Sequence, residues 1–149
     1  MEHNNLRAFR EKFLVEPLTI CETQYWIWSL RPVQATLGAG ILSLRRYCER
    51  FSDITPAEGA DLAGMVGRIE RALSAVFAYE KINYLMLMMV DPHLHYHVLP
   101  RYAAPRTFAG ITFVDAGWPA QPVISGIAPE LALMQEIRTL LAKADMQAT

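Results

Sequence analysis

Three histidines stand at alternate positions, His93, His95 and His97, inside Asp91-Pro92-His93-Leu94-His95-Tyr96-His97-Val98-Leu99-Pro100-Arg101. Alternation is the period of a β-strand, whose side chains point to opposite faces in turn. The spacing therefore predicts a strand with a row of imidazoles on one face and Leu94, Tyr96 and Val98 packed on the other. The only other histidine is His3. A single strand histidine is usually structural. Three in alternation, backed by an apolar face, point instead to acid/base, nucleophilic or metal chemistry on a rigid support.

Metal binding is the first alternative, since imidazole is a common ligand. Two residues along a strand cover roughly 6.6 Å, so the outer two histidines start about 13 Å apart. A zinc–nitrogen bond is only about 2.0–2.1 Å, so three imidazoles on a straight strand converge on one ion poorly. Two of them with Asp91 as a further ligand remain a possible set, and the nearby sequence offers no cysteine.

The chain has 149 residues, 52% of them hydrophobic, enough for one domain with a substantial core and too apolar for disorder. A formal charge of −1 gives no overall attraction to nucleic acid or an anionic membrane. A small anionic substrate stays open, because local arginines can serve it. Cys21 and Cys48 form no CxxC pattern and read as reduced core thiols. The polar, charged start does not resemble a signal peptide, and the longest apolar run, residues 84–90, is too short to span a bilayer. A cytoplasmic protein is the expectation.

Leu6, Phe9 and Phe13 suggest a short amphipathic helix, and residues 18–21, 25–30 and 41–44 read as strands. Arg31-Pro32 and Gly38-Ala39-Gly40 punctuate them. Arg45, Arg46 and Arg50 form a basic cluster that reads as a solvated face. Thr55, Pro56 and Glu58 spell a capping box with proline at the first helical position. Leu62, Val66, Ile69, Leu73, Val76 and Phe77 then recur at helical spacing, a core stripe. Residues 82–90 suit a strand buried on both faces. Asp91-Pro92 would turn it into the histidine strand as an antiparallel hairpin. Residues 102–127, rich in Pro and Gly, read as a long loop with little regular structure. Pro129 and Glu130 open a terminal helix over about 129–144. The expected fold class is α+β, an antiparallel sheet with a long covering helix and a C-terminal helix.

His-apolar-His-apolar-His-apolar-apolar, here His93-Leu94-His95-Tyr96-His97-Val98-Leu99 followed by Pro100-Arg101, resembles the signature of the histidine-triad (HIT) superfamily. The stretch from Glu49 to Glu58 is similar to the family's approach to its main helix. Asn83 resembles a recurrent position on the preceding strand, and Gly117-Trp118-Pro119 a Trp-Pro element of some branches. The likeness covers roughly residues 28–119, within a single HIT-like domain over 1–149. It implies an α+β homodimer that hydrolyses or transfers nucleotidyl groups at the α-phosphate of nucleoside phosphoramidates or dinucleoside polyphosphates. It needs no cofactor or metal, and no nucleic acid or membrane partner. By position, His95 is the nucleophile forming a nucleotidyl-imidazole. His97 contacts phosphate oxygens or relays a proton, and His93 shapes the site.

Three departures from the family stand out. Gly38-Ala39-Gly40 occupies the region where many relatives carry a Gly-His pair. Met88-Met89-Val90-Asp91-Pro92 replaces a Gly-Gln-Ser or Gly-Gln-Thr phosphate segment. Ser29 aligns near an acidic or amide ribose ligand. Arg101 and Arg46 are candidates to supply the missing phosphate contacts, with a surface role as the alternative, and Trp118 is a candidate to close over the site, with simple packing as its alternative. The other function classes are a nucleotide-binding adaptor with little turnover and a metal-dependent hydrolase.

Overall fold

The structure is a computed structural model, and it describes residues 2–147. Helices α1 (Glu2–Lys12) and α2 (Val15–Leu18) lead into strands β1 (Thr19–Glu22), β2 (Trp26–Leu30) and β3 (Gly40–Leu44). A 3-10 turn, Phe51–Asp53, precedes α3 (Pro56–Phe77). Strands β4 (Lys81–Leu85) and β5 (His95–Arg101), the short pair β6 (Arg106–Phe108) and β7 (Ile111–Phe113), and α4 (Leu131–Gln147) complete the chain. Five strands form one antiparallel sheet in the order β1-β2-β3-β5-β4. This is the α+β arrangement expected, with a long helix and a C-terminal helix beside the sheet.

Directly paired residues share a face of the sheet, so register sorts the side chains. Ser29 pairs with Ile41 and Ile41 with His97, while Ile27 pairs with Ser43 and Ser43 with His95. On the opposite face Trp28, Leu42, Leu44 and Val98 join Met65, Ile69 and Leu73 of α3 and Ile137 and Leu141 of α4 in the main core. The apolar stripe of α3 is thus core, as its spacing predicts. Its start is the full capping box, Thr55 accepting from the Glu58 amide and Glu58 from the Thr55 amide. A cap of this kind contributes about 1 kcal/mol.

The histidine face is covered differently. Phe9 and Phe13 of the N-terminal segment pack with Val15, Ile27 and Ile41 in a second cluster. Farther along, Ala35, Ala39 and Leu99 form a third, with Leu85 and Ile124 against it. Gly126 makes this last arrangement possible. A Cβ there would lie 2.1 Å from the Gln34 carbonyl oxygen, and the Gln34–Ile127 bridge holds that segment to the body of the protein.

Two sequence expectations change. The strand expected over 82–90 stops at Leu85, and β4 is an edge strand. Residues 86–94 form the connection to β5; Met88 takes a left-handed φ of 51°, and Met89 and Val90 are 80% and 86% exposed. Apolar composition alone does not distinguish a buried strand from an exposed apolar loop. The region read as unstructured carries the β6–β7 hairpin, closed at Ala109-Gly110 where both residues have positive φ. The antiparallel pairing of β4 with β5 is as expected.

Candidate active site

Strand β5 begins at His95, so only His95 and His97 project from it in strand geometry. Their rings lie 5.0 Å apart at 77°. His93 precedes the strand, where the Leu94 amide donates to the Cys48 carbonyl and the Leu94 carbonyl accepts from Leu44. Phe9 touches the rings of both His93 and His95, at 4.8 and 5.0 Å, so the row survives although its first member lies off the ladder. The expectation of three regular strand positions is corrected to two.

Hydrogen bonds assign a separate task to each ring. His93 Nε2 donates to the Leu44 carbonyl at 2.9 Å, and its Nδ1 accepts from the Cys48 amide at 3.3 Å. Tyr47 stacks on it at 5.3 Å. Both ring nitrogens of His93 are therefore committed to main chain. Its backbone carbonyl accepts from His95 Nδ1. A neutral imidazole with its proton on Nδ1 carries its lone pair on Nε2. The bond to the His93 carbonyl thereby leaves the lone pair of a neutral His95 ring on Nε2. The sequence could not identify that partner, because it is main chain.

Burial lowers all three histidine pKa values. His93 and His97 fall to about 4, in each case mainly from loss of hydration, and His95 moves in the same direction for the same first reason. Neutral rings at pH 7 suit nucleophilic attack. The shift also ties stability to pH. Between pH 6.5 and 4 the unfolded chain binds protons that the folded chain excludes, so stability is lost as pH falls through that window. Each such ring contributes about 1.4 kcal/mol per pH unit within it. Urea midpoints are expected to fall steadily from pH 6.5 to 5, where carboxylates remain ionised, and less steeply in His93→Gln. A flat profile for the unsubstituted protein would contradict this assignment of neutral rings.

A cavity of about 380 Å³ opens before His95 and His97. Lys12, Phe13, Arg31, Met88, Asp91 and Ile124 are among its other walls. Lys12 Nζ is paired with both Asp91 oxygens, at 2.7 and 2.8 Å. The volume falls in the range of small-molecule sites. The sequence analysis placed Phe13 on an amphipathic helix and Arg31 at a turn, but gave neither a part in the site. Long-range packing brings them there.

The remaining candidates lie apart from this cavity. Arg101 is 3% exposed; its Nε and Nη2 grip Asp115 at 2.6 and 3.0 Å, and its Nη1 donates to Asn83 Oδ1 at 2.7 Å. Asn83, Arg101 and Trp118 line a different hollow, on the β4 edge. Arg46 is engaged by Glu58 and the Asp53 carbonyl. Arg101 and Arg46 as phosphate ligands, and Trp118 as a cover, are corrected accordingly. Carboxylate and carbonyl partners occupy the two guanidinium groups, and Trp118 stands beside another surface. Ser29 is fully buried on the histidine face, two strands from His97, with Oγ unpartnered. Among the described residues no group of three or more His, Cys, Asp or Glu side chains could hold a metal ion. His93 has both nitrogens engaged, which removes it as a ligand.

An antiparallel sheet thus carries two strand imidazoles, with a third just before the strand, beside the cavity. Residues 41–104 match the family model described as HIT domain. Solved structures agree in fold. A histidine triad protein from Bradyrhizobium japonicum has a TM-score of 0.68 at 22% identity, covering 85% of this chain and 88% of its own. A hypothetical histidine triad nucleotide-binding protein from Sulfolobus tokodaii strain7 has a TM-score of 0.70 at 13% identity, covering 97% and 92%. A zinc-bound histidine triad family protein from Mycobacterium smegmatis has a TM-score of 0.63 at 17% identity, covering 94% and 96%. No curated protein matches the sequence. Among the described residues no helix is long and apolar enough to cross a membrane.

Proposed function

We propose that this protein hydrolyses or transfers nucleotidyl groups, attacking the α-phosphorus of a nucleoside phosphoramidate or nucleoside polyphosphate with His95 Nε2. The observation that carries the reading is the hydrogen bond from His95 Nδ1 to the His93 carbonyl, which leaves the other nitrogen unprotonated beside a cavity. In the first step an N–P bond forms and the bond from phosphorus to the leaving group breaks. His97 takes up a proton as the anionic phosphoryl group raises its pKa, hydrogen-bonds the phosphoryl oxygens and passes that proton to the departing group. In the second step water attacks phosphorus, giving up a proton to His97, the N–P bond breaks and His95 is regenerated. His93 holds His95 in register. The reading includes a homodimer, drawn from the family resemblance, and keeps the cytoplasmic location expected from the sequence.

Quenching in alkaline denaturant, in which an N–P bond survives, after mixing with labelled adenosine phosphoramidate tests the covalent step. A labelled protein adduct that is absent in His95→Ala is expected. Release of adenosine monophosphate with no adduct and no dependence on residue 95 would remove the mechanism. The apolar stretch at 86–90 favours one second reading, a nucleotide-binding adaptor. Tight binding of adenosine monophosphate with neither adduct nor turnover is its signature.

A further inference from the structure

Arg31 is the charged group of the cavity whose partners are incomplete. Its Nη1 donates to the Ile124 carbonyl at 2.6 Å and the Val33 carbonyl at 3.0 Å. Its Nε is buried and has no hydrogen-bond partner among the described residues. Nor is any carboxylate within ion-pair distance of Arg31 among them, whereas the cavity's other cation, Lys12, is matched by Asp91. On a planar guanidinium, Nε–H and one Nη–H point the same way and form the side-on fork that receives a carboxylate or phosphate. The Nη1 bonds to two carbonyls fix the plane of that fork. A half-buried cation without a counter-charge is favoured by a partner that pairs with it. Burial already depresses its pKa.

A second unpartnered group belongs to a residue that lines the same cavity. His97 is 6% exposed and its Nδ1 has no partner either. Arg31 follows β2 just past Ser29, whose row across the sheet leads through Ile41 to His97. Ser29 and His97 are two strand spacings apart, and Arg31 lies two residues farther along, so the Arg31 and His97 backbones are roughly 12 Å apart. One ligand of nucleotide size reaches both. We propose that Arg31 forms an anion subsite that receives a second phosphate of the substrate, next to the phosphoryl group attacked by His95, and so selects nucleoside diphosphate-like or longer substrates over those with a single anionic group. This rests on the proposed nucleotidyl chemistry for the identity of the ligand, though not for the anion itself.

Titration calorimetry with three probes tests it: adenosine monophosphate, adenosine diphosphate and inorganic pyrophosphate. Wild type is compared with Arg31→Met and Arg31→Lys, the second keeping the charge and losing the fork. In wild type the diphosphate is expected to bind at least about 10-fold more tightly than the monophosphate, as a charge-assisted bidentate contact implies. That increment should vanish in Arg31→Met and shrink in Arg31→Lys, with monophosphate affinity little changed. Should Arg31→Met not fold, Arg31→Lys carries the comparison. An undiminished increment in the variants, or none in wild type, overturns the subsite. Pyrophosphate bound through Arg31 while neither nucleotide binds upholds the anion site and defeats the nucleotide reading. Nucleotides and pyrophosphate bound equally by all three proteins defeat the subsite and leave the nucleotide reading standing.

Discussion

His95→Ala is expected to lower kcat/KM for adenosine phosphoramidate by about 10,000-fold or more, the scale seen when a covalent nucleophile is removed. At about 1.36 kcal/mol per decade this is roughly 5.4 kcal/mol of transition-state stabilisation. The loss is large because no other side chain can take over. His93 has both nitrogens in hydrogen bonds to main chain, and the His97 ring is set at 77° to that of His95. His97→Ala should cost less, about 100- to 10,000-fold, the usual range for a proton-transfer group. It should also leave the adduct trapped in alkaline denaturant detectable, since the atom that forms the N–P bond is retained. Steady-state kinetics with circular dichroism as a folding control decides the matter. A loss below 10-fold in His95→Ala would mean that bond breaking does not pass through that ring.

The parts of this site that were legible beforehand are those written in local pattern. Alternation placed His95 and His97 on one face, and the Thr55–Glu58 capping box located the start of α3. The strand positions of Trp28 and Leu42 followed from residue type. Other features depend on contacts far apart in sequence. Phe13 reaches His95 across 82 positions, with ring centroids 5.9 Å apart, and Ile124 supplies the carbonyl that orients Arg31. Neither has a signature, because an amphipathic helix does not say which face of which sheet it will cover. Residues 86–90 misled for a related reason. Their hydrophobicity suggested a strand, yet the ladder ends at Leu85 and the chain loops out beside the cavity. Arg101 misled through its position after the motif, where a phosphate contact is a natural guess. Its actual partner, Asp115, lies in a stretch that showed no pattern.

That pairing gives the largest expected effect on stability. Arg101→Met is expected to destabilise the protein by about 3–5 kcal/mol, the usual cost of removing one member of a buried ion pair. The side chains of Arg101 and Asp115 are 4% and 1% exposed, and the carboxylate would be left without its counter-charge. Burial pushes the Asp115 pKa up, but the bonds from Arg101 and the Tyr102 and Gly117 amides outweigh it and hold the carboxyl below its ordinary value. With Arg101 gone the balance reverses, and Asp115 should take up a proton nearer neutral pH. The double variant Arg101→Met, Asp115→Asn should therefore recover part of the loss, because no bare charge remains buried. Urea denaturation of wild type, both single variants and the double variant gives the coupling energy directly. Arg101 faces the β4-edge hollow and not the histidine cavity. The folded fraction of Arg101→Met should therefore keep its turnover number. Normal stability with lost turnover would instead return Arg101 to the substrate, and would require the Asp115 pair to open when phosphate arrives.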